Sequence, residues 1–257
     1  MSDADTPRFK VIPAATVVIF RNCPAGGPPE LLMVQRSKEM RFAGGAAVFP
    51  GGRIDPADRE LAQRLAPDAD PLVAAARVGG IRETLEETGL AIALTRPVSG
   101  SEASDARAML LEQGALAPVL EQFGWQLALE RLLPFAHWCP PADGAFDTRF
   151  FLTDLGTGAV DIAVDATENT RLFWSSAKES LRMAAEGEIK LIFPTKRNVE
   201  RLALSASFEE ACAHAAQFPL DVLSARREVR DGEDWLVMPD GYGYPVLGEP
   251  LRVVRRG

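Results

Sequence analysis

The chain has 257 residues, 47% hydrophobic and 25% charged, a globular balance that excludes fibrous, collagen-like and wholly disordered classes. Its 28 Lys and Arg stand against 36 Asp and Glu, a formal net charge of −8. Such a surface disfavours nonspecific binding to nucleic acid or anionic lipid, so phosphates must be met by local cations or by metal. The three cysteines, Cys23, Cys139 and Cys212, are dispersed and form no CxxC pair. They speak against a disulfide framework and for a reducing compartment. With no apolar signal core and no apolar run near the ~20 residues of a spanning helix, the expectation is a cytoplasmic protein with no membrane and no nucleic-acid partner.

Strands are expected at 14–22 and 30–36, joined by the loop CPAGGPPE, and at 45–50, closed by Gly51-Gly52. A short helix follows Pro56. From 70 to 88 the pattern is helical, with Val78, Ile81 and Leu85 in one stripe and Gly89 as its terminator. Two helices are expected within 103–132, broken by Gly114 and Pro118. Strands return at 132–139, 148–153 and 158–164, and helices at 175–186, 195–204 and 207–217. The tail from 226 to 255 reads as strand-poor. His137 and Cys139 read as packed, as do the aromatics Trp138, Phe150, Phe151 and Trp174; His214 decorates a helix. No linker divides the chain, so one domain over 1–257 is expected, with an insertion at about 53–70 and extra helices at about 103–132 and 195–217.

The informative segment is Arg82-Glu83-Thr84-Leu85-Glu86-Glu87-Thr88-Gly89-Leu90. On a helix, Glu83 lies at i+3 and i+4 spacing from Glu86 and Glu87, so three carboxylates project from one side. They crowd the C-terminal half of the helix, where the macrodipole disfavours anions. Arg82 can pair with Glu86 but leaves the other two. A hard divalent cation, Mg²⁺ or Mn²⁺, would resolve the conflict, since such ions are held by few carboxylates plus waters and phosphate oxygens.

With its flanking residues this segment resembles the Nudix hydrolase signature, G-x5-E-x7-R-E-U-x-E-E-x-G-U with U a bulky apolar residue. The second half is matched from Arg82 to Leu90, with Thr84 where an aliphatic residue is usual. In the first half, Gly52 to Arg82 spans 30 positions where the signature allows 14, so about 16 residues are inserted. Counting forward from Gly52 puts the signature glutamate at Asp58; counting back from Arg82 puts it at Ala74. Such an interruption resembles the coenzyme A diphosphatase branch. Upstream, Leu32-Met33-Val34-Gln35-Arg36-Ser37, then Arg41, Gly45 and Phe49-Pro50-Gly51-Gly52, keep the spacing of that branch's extra motif, with Met33 and Val34 departing from it. Arg36 and Arg41 would stand near a Gly-rich turn, where guanidinium forks can hold phosphate.

The resemblance implies an α/β protein, a Nudix-type α/β/α sandwich with a mixed sheet and helical insertions. It implies metal-dependent hydrolysis of a nucleoside diphosphate derivative, foremost coenzyme A or acyl-CoA, cleaved to 3′,5′-ADP and 4′-phosphopantetheine or its acyl form. Sugar or dinucleotide diphosphates are the alternative substrates, and a non-catalytic nucleotide-binding sensor is the alternative class. The implied catalytic set is Arg82, Glu83, Glu86, Glu87 and Glu168. The implied metal set is the Gly51 carbonyl, Glu83, Glu86 and Glu87. Substrate would meet Arg36, Arg41, Gly52 and Arg149, the last on the strand Phe146-Asp147-Thr148-Arg149-Phe150-Phe151. The segments 53–70 and 103–132 would wall the pocket. The general base stays open among Glu83, Glu86 and Glu168, and a homodimer is left open.

Overall fold

The computed structural model describes residues 9–37, 39, 43–155 and 169–254. Arg41 and Glu168, and the strand expected at 158–164, lie outside the described residues.

The first strand, β1 (Ile12–Arg21), organises the fold, because its alternate residues feed two separate cores. Ala15, Val17 and Ile19 point into one cluster, and Val18 and Phe20 into the other. β2 (Glu30–Arg36) follows as expected, then β3 (Ala47–Val48). Gly51 and Gly52, expected to close the strand at 45–50, also open β4 (Gly51–Arg53), which pairs antiparallel with β1. With β5 (Leu133–Trp138), β6 (Phe146–Asp154), β7 (Asn169–Ser176) and β8 (Val222–Leu223), these make an eight-stranded sheet ordered β3-β2-β1-β6-β5-β8. β4 lies beside β1, and β7 beside β2. The β1–β6 and β5–β8 pairs are parallel and the other pairs antiparallel, so the sheet is mixed.

One face carries α1 (Pro56–Leu65), α2 (Pro71–Thr88), α3 (Gly100–Gln113) and α4 (Leu116–Phe123). The other carries α5 (Ala177–Ala185), α6 (Phe193–Leu202) and α7 (Phe208–Ala215). The result is an α/β/α sandwich. α2 lies low on the sheet because Gly80 has no side chain: a Cβ there would come within 2.9 Å of Val17 Cγ2 and 3.7 Å of the Ala15 Cβ. Asp70 caps the start of α2 through the Leu72 and Val73 amides, and Gly89 ends it in the left-handed conformation, as the pattern predicts.

Four expectations need correction. Pro118 does not break a helix; it sits in the first turn of α4, where its missing N–H costs no bond, and Gly114 alone divides α3 from α4. Residues 175 and 176 belong to β7, a strand the sequence did not announce because Thr170, Ser175 and Ser176 dilute its apolar character. The tail is not strand-poor: β9 (Arg226–Arg230), β10 (Glu233–Val237) and β11 (Gly248–Pro250) form a separate three-stranded sheet before α8 (Leu251–Val254). Charged residues dominate β9 because the strand is largely exposed. Finally, Cys139 and Trp174 are half-buried rather than core, whereas Trp138, Phe150 and Phe151 are buried.

Candidate active site

The carboxylate helix α2 crosses β4 and β1, and its charged residues gather around Arg82. That guanidinium is buried and fully engaged. Nε donates to Asp58 Oδ1 at 3.0 Å, Nη1 to Glu86 Oε2 at 2.8 Å, and Nη2 to the Arg53 carbonyl at 2.8 Å and to Glu83 Oε1 at 3.0 Å. Asp55 stands 3.6 Å away. Burial works against the Arg82 charge, but the hydrogen bond to Asp58 and the charges of Glu83, Asp58 and Glu86 outweigh it and raise its pKa.

Asp58 thus comes to Arg82 from the far side of the insertion. It occupies the third position of α1, where Oδ2 also accepts the Asp55 amide at 2.9 Å. Counting forward from Gly52 therefore reaches a carboxylate that pairs with Arg82, and the residues between it and α2 are the rest of α1 and the turn to Asp70. Ala74 is a core residue of α2.

Glu83 and Glu87 lie against β4. A Cβ on Gly52 would fall 2.5 Å from the Glu83 carboxyl group, so glycine here leaves that carboxylate its place beside the strand. The Gly51 amide donates to Glu87 Oε2 at 2.9 Å, and Gly51 has φ +150°, with a virtual Cβ 2.2 Å from the Ala15 carbonyl. Burial pushes the Glu83 pKa up to about 8; Arg82 opposes this, while Glu87 and Glu86 add to it. Burial also raises that of Glu86, again against Arg82. Thr84, at the usually aliphatic position, is buried without cost because its hydroxyl donates to the Gly80 carbonyl at 2.7 Å. From α3, Arg107 Nε donates to the Glu86 carbonyl at 2.8 Å, a contact between separate helices that no local spacing announces.

Among the described residues, no three His, Cys, Asp or Glu side chains converge as a finished metal cage. The carboxylates are instead drawn to Arg82 and to the Gly51 amide. The donor set nonetheless suits a hard divalent cation. It consists of oxygens alone, and Glu83 is raised first by burial and then by the charges of Glu87 and Glu86, both of which a bound cation offsets.

The arginines are distributed differently. Arg36 ends β2 with its Nε buried and unpartnered among the described residues. Arg149 stands in register with Ala15, which is itself in register with Gly52, and so shares the α2 face of the sheet. Gly80 lies over Ala15 between them. The recorded partner of Arg149 is Asp147 at 3.6 Å, and Asp147 also contacts His137 Nε2. His137, expected to be merely packed, is therefore half of a His–Asp pair brought together by the β5–β6 register.

Two cavities flank these elements. One of about 360 Å³ is walled by α1 and by α4 with the turn after it, including Leu61, Leu65, Leu120 and Trp125, and so joins the two inserted segments. Another of about 480 Å³ lies between Glu30, Trp174 and Glu179, and no residue of α2 lines it.

No family model matches the chain. It is 25% identical over 310 residues to the acyl-coenzyme A diphosphatase NUDT19 of Gallus gallus, covering 93% of this chain and 79% of that protein. It is 31% identical over 121 residues to the mitochondrial coenzyme A diphosphatase NUDT8 of Homo sapiens, covering 44% of each. The crystal structure of a NUDIX hydrolase from Alicyclobacillus acidocaldarius superposes with a TM-score of 0.66 at 29% identity, covering 80% of this chain and 97% of that one. With the Arg82–Leu90 signature folded against its glycine strand, and with these relatives, the chain has the fold and signature of the Nudix hydrolases and resembles their coenzyme A diphosphatase branch.

Proposed function

We propose that this protein is a diphosphatase that cleaves coenzyme A or acyl-CoA, giving 3′,5′-ADP and 4′-phosphopantetheine or its acyl form, with Mg²⁺ or Mn²⁺ as cofactor. The observation that carries the reading is the seating of Glu83 and Glu87 on Gly52 and Gly51, with Arg82 locked beside them. The upstream arginine motif and the names of the relatives support the substrate. In the reaction, a water oxygen bonds to one phosphorus, the bridging P–O bond breaks, and the water proton passes to a carboxylate base. Glu83, Glu86 and Glu168 are the candidates for that base.

Glu83, Glu86, Glu87 and the Gly51 carbonyl would hold the metal. When bound, it neutralises diphosphate oxygens and lowers the pKa of the attacking water. Arg82 fixes the carboxylates. Arg36 and Arg41 would steady the phosphates, joined by Arg149. The three free cysteines support a cytoplasmic location.

Product analysis of coenzyme A incubated with and without Mg²⁺ or Mn²⁺ tests the reading. Metal-dependent release of 3′,5′-ADP is expected. Turnover of another nucleotide diphosphate in its place would overturn the substrate assignment, and binding without turnover would overturn catalysis.

A further inference from the structure

Arg107, on the extra helix α3, is a cation that the reaction above does not use. Its Nε donates to the main-chain carbonyl of Glu86 at 2.8 Å, and its recorded partner is that carbonyl rather than any carboxylate. Packing brings it there. Ala103, Ala106 and Leu110 bury one side of α3, and Arg107, beside Ala106, is half-buried where α3 meets α2.

The carbonyl it reaches is one that α2 does not close by itself. The last four carbonyls of a helix have no intrahelical donor. Gly89 closes the Leu85 carbonyl at 3.0 Å. The next amide in line, that of Leu90, turns instead to the Thr88 hydroxyl at 3.1 Å, and that hydroxyl donates to the Thr84 carbonyl at 2.6 Å. The Glu86 carbonyl is thereby left to Arg107. The same turn carries the carboxylates of Glu86 and Glu87, which accept from Arg82 and from the Gly51 amide. They stand at the negative end of the helix macrodipole, where a guanidinium on an open carbonyl both ties the turn down and offsets its charge.

We propose that Arg107 is a positioning residue for the metal-binding carboxylates. By closing the Glu86 carbonyl it holds the last turn of α2, and with it Glu86 and Glu87, in the arrangement that receives a divalent cation. The proposal rests on the metal-dependent reading above. Arg107 acts through the main chain of a ligand residue, as the partners behind metal ligands commonly do.

The test is Mn²⁺ binding to the full chain, followed by the electron paramagnetic resonance signal of free Mn²⁺ well below the unfolding midpoint. Arg107→Met removes the donor and keeps an apolar stem; it should raise the Mn²⁺ Kd about 10-fold. Arg107→Lys, which restores a charge and a donor, should recover part of that loss. In turnover of coenzyme A, Arg107→Met should need more Mn²⁺ for half-maximal rate, with the KM for coenzyme A at saturating metal unchanged. If Arg107→Met does not fold, Arg107→Gln takes its place and the same outcomes decide. A merely structural Arg107 would lower the unfolding midpoint of the metal-free protein and leave the Mn²⁺ Kd at the wild-type value, and that result overturns the proposal alone. Wild-type protein that binds no Mn²⁺ would overturn the metal reading itself, and the proposal with it.

Discussion

Asp58 and Arg82, 24 residues apart in sequence, meet as a buried ion pair at 3.0 Å, with side chains 1% and 4% exposed. This contact joins the two halves of the split signature in space. α1 delivers the carboxylate, α2 delivers the guanidinium, and the residues between them lie outside the pairing. Arg82 in turn holds Glu83 and Glu86, so the orientation of these two carboxylates depends on Asp58, while Glu87 is held by the Gly51 amide.

Asp58→Asn should therefore destabilise the protein by about 1.5–3 kcal/mol, because it removes one buried countercharge of Arg82 while Glu83 and Glu86 remain. Urea unfolding measures this directly. Asp58→Glu, which keeps the charge, should recover part of the loss. A change within experimental error for Asp58→Asn would mean that Glu83 and Glu86 alone hold Arg82.

Glu86→Gln and Glu87→Gln should each lower turnover by about 10²–10³-fold while leaving the fold intact. Thermal melts provide the second readout. Added Mg²⁺ or Mn²⁺ should raise the unfolding midpoint of the wild type and do so less in either variant. Unaltered rates in both variants would remove these carboxylates from the mechanism.

Gly52→Ala should be disproportionately harmful for a change of one methyl group. The new Cβ would stand 2.5 Å from the Glu83 carboxyl group and must displace it or lift β4. Because that carboxyl group is the flexible end of its side chain, the stability cost should stay within about 1 kcal/mol, with a fall in kcat beyond what partial unfolding explains. Calorimetry beside steady-state kinetics separates the two effects.

The Asp147 carboxyl group gives a pH signature. Its burial opposes ionisation, but the hydrogen bond with His137 and the Arg149 charge outweigh this and hold its pKa below the usual aspartate value. A depressed folded pKa contributes stability above the unfolded value of about 4 and loses it as pH falls through the lower folded value. The stability gap between wild type and Asp147→Asn should thus be steady from pH 7 to about 5 and close below about 4. Urea titrations at several pH values would reveal a gap that instead widens in acid, which would contradict this account.

The sequence by itself determined the local features. The 70–88 helix, its Asp70 and Gly89 ends, the β1–β2 hairpin and the clustering of Glu83, Glu86 and Glu87 all follow from periodicity and spacing within one element. Tertiary structure decided what depends on distant partners. Strand register brought His137 to Asp147 and placed Arg149 across Ala15 from Gly52. Helix packing chose Asp58 over Ala74 as the partner of Arg82, and brought Arg107 of α3 to the Glu86 carbonyl. Spacing along one helix or strand fixes which side chains share a face. Which face meets which is set by the packing of elements far apart in the chain.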